Sequence, residues 1–302
     1  MEKEQTQYQS GFIAVMGRPN VGKSTMLNKL LGQKIAAVSP KPQTTRLQQL
    51  GILSLPKAQL VFIDTPGLHQ PHHRLGEFMN QDAQQALEDA DLVLFMVDGS
   101  STPTEEDKIL IGLLEGMTDV PPVVTVLNKL DKINPEDVSD RERQYQALWP
   151  EATLVSVSSA RGDNLNTLVE TMVEKLPEGP QYYQEDQITD TYERDIASDL
   201  IRASAMSLLR DEVPHSLAVR IDEYKERNEE GAYIQATLFV ERTSQKAIVI
   251  GKDGKMIKRI GSLARKDIEE MSDRKVYLDL RVKVKKGWRN DPNSLRLFGF
   301  KR

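Results

Sequence analysis

Eight residues near the N-terminus constrain this chain more than any others. Gly17-Arg18-Pro19-Asn20-Val21-Gly22-Lys23-Ser24 reads G-x-x-x-x-G-K-S. An apolar run, Gly11 to Met16, precedes it, and a helix-like segment, Ser24 to Leu31, follows. Strand, glycine loop and helix in that order call for an α/β sheet with a phosphate site at a strand end. Gly17 and Gly22 let several backbone N–H groups of residues 17–25 turn toward one oxyanion, and the start of the helix adds its positive dipole end. Arg18, Pro19, Asn20, Val21 and Thr25 complete this cradle. Lys23 supplies a point charge for the β- and γ-phosphates, and Ser24 a hydroxyl for Mg²⁺. A glycine turn that binds nothing would need neither.

Three later motifs identify the base. Asp64-Thr65-Pro66-Gly67 closes a second apolar strand, Leu60 to Ile63. Its carboxylate suits a Mg²⁺-bound water, and the Gly67 N–H suits a γ-phosphate whose loss would release the segment that follows. Asn128-Lys129-Leu130-Asp131 closes a third strand, Val123 to Leu127. The two oxygens of Asp131 match the N1–H and 2-amino donors of guanine. Adenine has neither and would leave the carboxylate unpaired. Asn128 is expected on the opposite side of the base. Ser158-Ser159-Ala160 closes a fourth strand, Ala152 to Val157, and the Ala160 N–H would meet the guanine 6-oxo group. Lys23 to Asp64 spans 41 residues, Asp64 to Asn128 spans 64, and Asn128 to Ser158 spans 30. All the motifs fall at strand ends, the edge where open α/β sheets bind ligands. GTP and GDP are the expected ligands, and Asp131 opposes the rival reading of an ATPase acting on RNA.

On these motifs residues 11–176 resemble the translation-factor class of GTPases, and G-R-P-N-V-G-K-S, D-T-P-G-L and N-K-L-D are similar to its Era-like branch. The resemblance implies a switch I threonine in Pro42-Gln43-Thr44-Thr45-Arg46 that closes on Mg²⁺ and the γ-phosphate. The metal ligands would then be Ser24, Asp64 and either Thr44 or Thr45. Ras-type enzymes carry a water-orienting Gln after the D-x-x-G glycine. Here that residue is Leu68, which has no hydrogen-bonding group, so hydrolysis is expected to be slow or assisted by something else. In similar relatives an Asn at the position of Asn20 goes with K⁺ near the β/γ-phosphates, where a cation would offset developing charge. Lys23, Asn20, Thr44, Thr45 and Gly67 are therefore the candidate catalytic residues, with Mg²⁺ and K⁺ as the implied ions. His69, His72 and His73 read as solvated loop residues.

A chain of 302 residues with 39% hydrophobic residues suggests two domains. It has no cysteine, which removes disulfides and Cys-based zinc sites and fits a reducing cytosol. Residues 1–10 lack a signal-peptide pattern, and no apolar run approaches the ~18 residues of a membrane span. Strands are expected at 11–16, 47–54, 58–64, 91–97, 122–128 and 152–157. Helices are expected at 23–31, 76–89, 104–116, 135–147 and 163–176. The result is a mostly parallel, doubly wound P-loop GTPase domain over 1–180, with one antiparallel strand from a hairpin at Leu55-Pro56-Lys57. There is one phosphate loop and no repeat, which excludes a tandem double GTPase. Leu176-Pro177-Glu178-Gly179-Pro180 ends the last helix, and residues 181–191 read as a linker.

Residues 192–302 are expected to form a smaller α+β unit with a helix at 192–212, strands at 217–227 and 232–241, a helix at 255–271 and a strand at 275–286. Ile250-Gly251-Lys252-Asp253-Gly254-Lys255 contains G-x-x-G, the loop with which KH modules clamp about four nucleotides of single-stranded RNA. Lys252, Lys255, Lys258 and Arg259 surround it with charge. Ile248, Ile250, Ile257 and Ile260 are expected to floor the groove, and Asp253 to tune affinity. Residues 231–302 carry 18 Lys+Arg against 8 Asp+Glu, a local +10 in a chain of net charge −5. A basic unit on an acidic body points to a polyanionic partner. The tail Val284-Lys285-Lys286-Gly287-Trp288-Arg289-Asn290 extends the resemblance over residues 11–302, now to Era-like GTPases with a C-terminal type II KH domain. Trp288 is expected to pack rather than stack on a base.

The resemblance implies a cytoplasmic GTPase that binds the 3′ end of 16S ribosomal RNA and assists assembly of the 30S subunit, with no DNA partner. GTP would bias the arrangement of the two domains and so gate the RNA groove. The rival reading is a nucleotide-gated module meeting another polyanion, such as a protein or the cytoplasmic face of a membrane as a peripheral protein.

Overall fold

The computed structural model describes residues 8–39, 41, 46–65, 73–228 and 231–300. These fall into two units, one of residues 8–32, 48–65 and 79–190 and the other of 33–39, 41, 46–47, 73–78 and 191–300. The described parts of 33–47 and 70–78 thus belong to the second unit, although their place in the sequence suggested the first.

In the first unit, β1 (Gln9–Met16), β2 (Gln49–Leu55), β3 (Ala58–Asp64), β4 (Leu92–Asp98), β5 (Val123–Asn128) and β6 (Thr153–Ser156) form one sheet in the order β2-β3-β1-β4-β5-β6. All neighbours are parallel except β2 and β3, the expected hairpin. The helices between strands are α1 (Lys23–Leu31), α2 (Arg74–Glu88, of which residues 79–88 fall in this unit), α3 (Glu105–Glu115), α4 (Val138–Gln146) and α5 (Leu165–Lys175). β3 and β4 are buried along their whole length, as strands covered on both faces must be. Alternate residues serve opposite faces. Ile13, Val15, Leu92, Leu94 and Met96 pack with Leu165, Leu168 and Met172 of α5, whereas Ala14, Met16, Val93, Phe95 and Val97 pack with Leu110, Ile111 and Leu114 of α3. The chain leaves β1 for β2 and β3 on one side, then crosses to β4, β5 and β6 on the other. Strand order reverses around β1, and its C-terminal end is where such a sheet opens a ligand crevice.

The stretch read as a linker is tied down on this unit as far as Asp190. The Gln59 side chain, fully buried, accepts from the Tyr182 and Tyr183 N–H groups at 2.8 and 3.0 Å and donates to the Tyr183 carbonyl at 3.0 Å. Ile52 N–H donates to the Ile188 carbonyl at 2.7 Å, and Thr189 Oγ1 to the Leu50 carbonyl at 2.6 Å. These bonds satisfy the edge of β2, which would otherwise expose unpaired backbone groups.

The second unit has α6 (Glu193–Leu208), β7 (Ala218–Asn228), β8 (Gly231–Val240), α7 (Thr243–Ile250), α8 (Lys255–Ser272), β9 (Lys275–Val284) and α9 (Pro292–Leu297). Its sheet runs β7-β8-β9, antiparallel and then parallel. α6 stops short of the expected 212, because Asp211 takes a left-handed φ of 56° and Pro214 opens a 3-10 turn. α7 and α9 were not expected from the sequence. Ile248-Val249-Ile250 is a β-branched run that local preference reads as strand, but burial of Val249 at 0% exposure holds it in a helix. Trp288 packs, as expected. It is fully buried, donates to the Ser216 carbonyl at 2.8 Å and meets Phe298 edge-on at 5.1 Å. Among the described residues no helix is long and apolar enough to cross a membrane.

Candidate functional site

The phosphate loop joins β1 to α1. Gly22 caps α1 at φ 110°, a conformation that L side chains rarely adopt. A Cβ there would lie 2.2 Å from Asn128 Nδ2, so the glycine also makes room for the base-recognition loop. Asn20 is exposed at φ 65°, within the range asparagine tolerates. Lys23 opens the helix with only 8% of its surface exposed, and its ammonium donates to the Gly17 carbonyl at 2.8 Å. Burial pushes the Lys23 pKa below its ordinary value, against the opposing pull of Asp64. Ser24 Oγ donates to Asp64 Oδ2 at 3.2 Å, and Asp64 is 1% exposed at the end of β3. A hydroxyl and a carboxylate side by side are hard oxygen donors of the kind Mg²⁺ takes, few enough to leave positions for phosphate oxygens and water. Among the described residues no cluster of three or more His, Cys, Asp or Glu offers a metal cage. Thr65 spends its hydroxyl on the Val15 carbonyl at 2.9 Å. Thr44, Thr45, Pro66, Gly67 and Leu68, with His69 and His72, lie outside the described residues.

The residues expected to meet the base come together at the ends of β5 and β6. Asp131 Oδ1 accepts from Ser158 Oγ at 2.6 Å, and Ser158 is fully buried. Ala160 is exposed at the tip of that loop. Asn128 has a structural role beside the one expected. Its amide donates to the Val21 carbonyl at 2.7 Å and accepts from Ser159 N–H and Oγ, each at 2.9 Å. The side chain straps the phosphate loop to the Ser158–Ala160 loop and keeps a second amide N–H for the expected bond to a base.

Sequence reading missed a charge network behind this strap. Lys129, held at φ 67°, places Nζ 2.6 Å from Asp98 Oδ2 at the end of β4. The Arg18 side chain turns away from the phosphate cradle to lie 3.3 Å from Asp107 in the first turn of α3, 3.9 Å from Asp98 and 2.9 Å from Ser101 Oγ. Buried Tyr145 donates to the Asp98 and Ser101 carbonyls. Acids and cations far apart in sequence thus tie the phosphate loop to N-K-L-D. The signal available was Asp98-Gly99-Ser100, a turn at a strand end. Burial alone would raise the Asp98 carboxyl, but bonds from Lys129 and Ser100 outweigh it and hold the pKa below the ordinary range. Asp98→Ala is expected to weaken GDP binding about tenfold, the weight of one charge-assisted hydrogen bond. Because the folded pKa is depressed, the contribution of Asp98 to stability is present above about pH 4 and lost as pH falls through the folded value. Urea midpoints of wild type and Asp98→Ala should converge at acid pH, and a gap independent of pH would refute the pairing.

In the second unit Gly251 (φ 73°) and Gly254 (φ 71°) bracket a single 3-10 turn, Lys252–Gly254, between α7 and α8. A Cβ on Gly251 would lie 2.9 Å from the Met256 N. Lys252, Asp253, Lys255, Lys258 and Arg259 lie at the surface, with Ile250 and Ile257 half-buried beside them. Ile260, expected on the groove floor, is instead in the core at 0% exposure. Ile257, Ile260, Ala264 and Ile268 lie on one side of α8, and the stripe is half-buried at Ile257 in the first turn and fully buried from Ile260 onward.

Residues 12–129 match the family model described as 50S ribosome-binding GTPase, and residues 212–289 match that of the KH domain. The chain is 46% identical to GTPase Era of Halothermothrix orenii over 296 residues, 97% of this chain and 99% of that protein. A crystal structure of Era in complex with MgGDPNP and nucleotides 1506–1542 of 16S ribosomal RNA is similar at a TM-score of 0.91 and 41% identity, covering 98% of this chain and 100% of that one. A crystal structure of a single-substitution variant of Aquifex aeolicus Era bound to GDP·AlF4⁻ is similar at a TM-score of 0.90 and 40% identity, covering 97% and 100%. A P-loop unit and a KH unit in this order, matched along nearly the whole length, mean that this chain belongs to the Era family of GTPases.

Proposed function

We propose that the chain is a GTP-hydrolysing switch that binds 16S ribosomal RNA near its 3′ end through its KH unit and assists assembly of the 30S subunit in the cytoplasm. The observation that carries this reading is the convergence of Lys23, Ser24, Asp64 and Asp131 at one edge of one sheet. The similar Era structure in complex with MgGDPNP and a 16S fragment supports the same partners here. Ser24 and Asp64 would hold Mg²⁺, joined in the GTP state by Thr44 or Thr45. Lys23 and the N–H groups of residues 17–25 would bind the phosphates, Asp131 and Ala160 the guanine. Asn128 would fix the two loops that surround the base and offer its second amide N–H to the side of the base opposite Asp131. Ile250 to Lys255, Ile257, Lys258 and Arg259 would hold the RNA.

The test is binding of an RNA matching 16S nucleotides 1506–1542, with GDP and with a non-hydrolysable GTP analogue, at two salt concentrations because phosphate contacts are salt-dependent. Tighter binding with the analogue, lost in Gly251→Asp, is expected. Equal binding in both states would end the gating model, and no preference over a scrambled RNA would end the RNA reading.

Leu68 offers no group to orient water, and Asn20 stands exposed at the phosphate loop. A monovalent cation held near Asn20 would offset charge that develops between the β- and γ-phosphates. Turnover is expected to be several-fold higher in KCl than in NaCl, with the difference lost in Asn20→Ala. Equal rates in the two salts would remove Asn20 from the mechanism.

A further inference from the structure

The open face of the second unit's sheet carries a pair of rings that neither the nucleotide site nor the G-x-x-G turn uses. Tyr233 of β8 and Tyr277 of β9 are register partners, their ring centroids 5.7 Å apart and their planes 16° from parallel. Cross-strand aromatic pairs stabilise sheets, and that accounts for half-buried Tyr233, whose hydroxyl accepts from Gln235 at 3.2 Å. It does not account for Tyr277, which stands 66% exposed on an edge strand.

The surroundings of Tyr277 are cationic. Along β9, Val276 and Val282 are buried while Lys275, Tyr277, Arg281 and Lys283 are exposed, so one face of the strand reads Lys-Tyr-Asp-Arg-Lys. Its one acid, Asp279, is occupied by Gln235 at 3.0 Å and Arg281 at 3.4 Å. On β7 the charges cancel in pairs, Arg220 with Asp222 and Lys225 with Glu223. The net positive charge of the face therefore runs along β9 on both sides of Tyr277. β9 is also the strand against which α7 and α8 pack, the two helices joined by the G-x-x-G turn.

We propose that Tyr277, with Lys275, Arg281 and Lys283, forms a second RNA contact outside the G-x-x-G groove. A base flanking the clamped nucleotides stacks on the Tyr277 ring and extends the Tyr277–Tyr233 stack, while the cations of β9 take the neighbouring phosphates. Every base has a π face, so this contact adds affinity and footprint without adding sequence preference. The inference rests on the RNA reading of this unit and extends it to a face that a groove-only footprint would leave bare.

The test uses the full chain with a non-hydrolysable GTP analogue and the RNA matching 16S nucleotides 1506–1542. Tyr277→Leu keeps an apolar strand residue but removes the ring, and is expected to weaken binding about tenfold. Tyr277→Phe should bind as wild type does. Arg281→Gln should flatten the slope of log K against log salt by about 0.7, the weight of one single-strand phosphate contact. Gly251→Asp should lose binding altogether. Wild-type affinity in Tyr277→Leu, with Gly251→Asp still defective, would overturn the platform and leave the RNA reading intact. No binding by the wild type would take both. Photocrosslinking of the unsubstituted protein to 4-thiouridine RNA reads the same contact even if Tyr277→Leu folds poorly. Adducts on Tyr277 or Tyr233 support the proposal, and adducts confined to residues 248–259 overturn it.

Discussion

Asp131→Asn is expected to convert the nucleotide site from guanine to xanthine, lowering affinity for GDP roughly a thousandfold or more relative to xanthosine diphosphate. The bond from Ser158 Oγ to Asp131 Oδ1, 2.6 Å long, decides the outcome. An asparagine amide has one acceptor and one donor end, and the Ser158 hydroxyl claims the acceptor. The amide NH₂ is then turned toward the base. Guanine presents N1–H and a 2-amino group there, so donors face donors. Each buried unsatisfied group costs ~1–3 kcal/mol, and the charge-assisted bonds of the carboxylate are lost as well. Xanthine carries a 2-oxo group that accepts from the new NH₂. Competition of GDP and xanthosine diphosphate for a fluorescent nucleotide, run on wild type and variant, reads the ratio directly. An unchanged ratio would mean that Asp131 does not touch the base. Asp131→Asn combined with Ser158→Ala frees the amide to flip and should recover part of the guanine preference, an outcome expected only if the serine sets the orientation.

Both residues of that argument were legible in the sequence, and so was most of the first unit. Apolar runs buried on both faces leave little ambiguity about strands such as β3 and β4, and each functional motif follows directly on one of the sheet's strands. Less legible were features made by residues distant in the chain. Arg18 reads as part of a phosphate cradle, and only the fold brings Asp98 and Asp107 to its side chain. Asn128 reads as a base contact, and the sequence gives no sign that its amide also ties Val21 to Ser159. The polar run 181–190 has the composition of a linker, and what holds it is the buried Gln59 and the backbone edge of β2. In the second unit, α7 was hidden because Ile248-Val249-Ile250 has strand character, and tertiary burial of one residue in three overrode it. Along one stripe of α8, burial deepens from half-buried Ile257 beside G-x-x-G to Ile260 in the core. A period of 3.6 puts the two residues on one side of α8, so the stripe could be read from the sequence but the depth at which each of its members is buried could not.

Lys23→Ala is expected to cut GTP turnover by about a thousandfold, the upper end of what one preorganised charge contributes where transition-state charge develops. The structure adds a reason beyond the loss of a cation. Lys23 is 8% exposed and its ammonium rests on a neutral carbonyl, that of Gly17. Its desolvation is incompletely offset until a polyphosphate arrives, and burial accordingly depresses its pKa. A lysine depressed in the folded state means that the unfolded chain binds more protons between the folded pKa and about 10.4, so the nucleotide-free protein gains stability as pH rises through that window. Lys23→Ala lacks that gain. The stability gap between wild type and variant, measured by urea without nucleotide at about pH 8 and about pH 10, should therefore shift in favour of the wild type at the higher pH. With Mg²⁺ and GDP the phosphates hold the lysine protonated and the shift should vanish. A variant that hydrolyses GTP within about tenfold of wild type would show that the charge is supplied elsewhere. Lys23→Arg is not expected to rescue turnover, because a planar guanidinium cannot place one compact charge under the Gly17 carbonyl and still reach both phosphates.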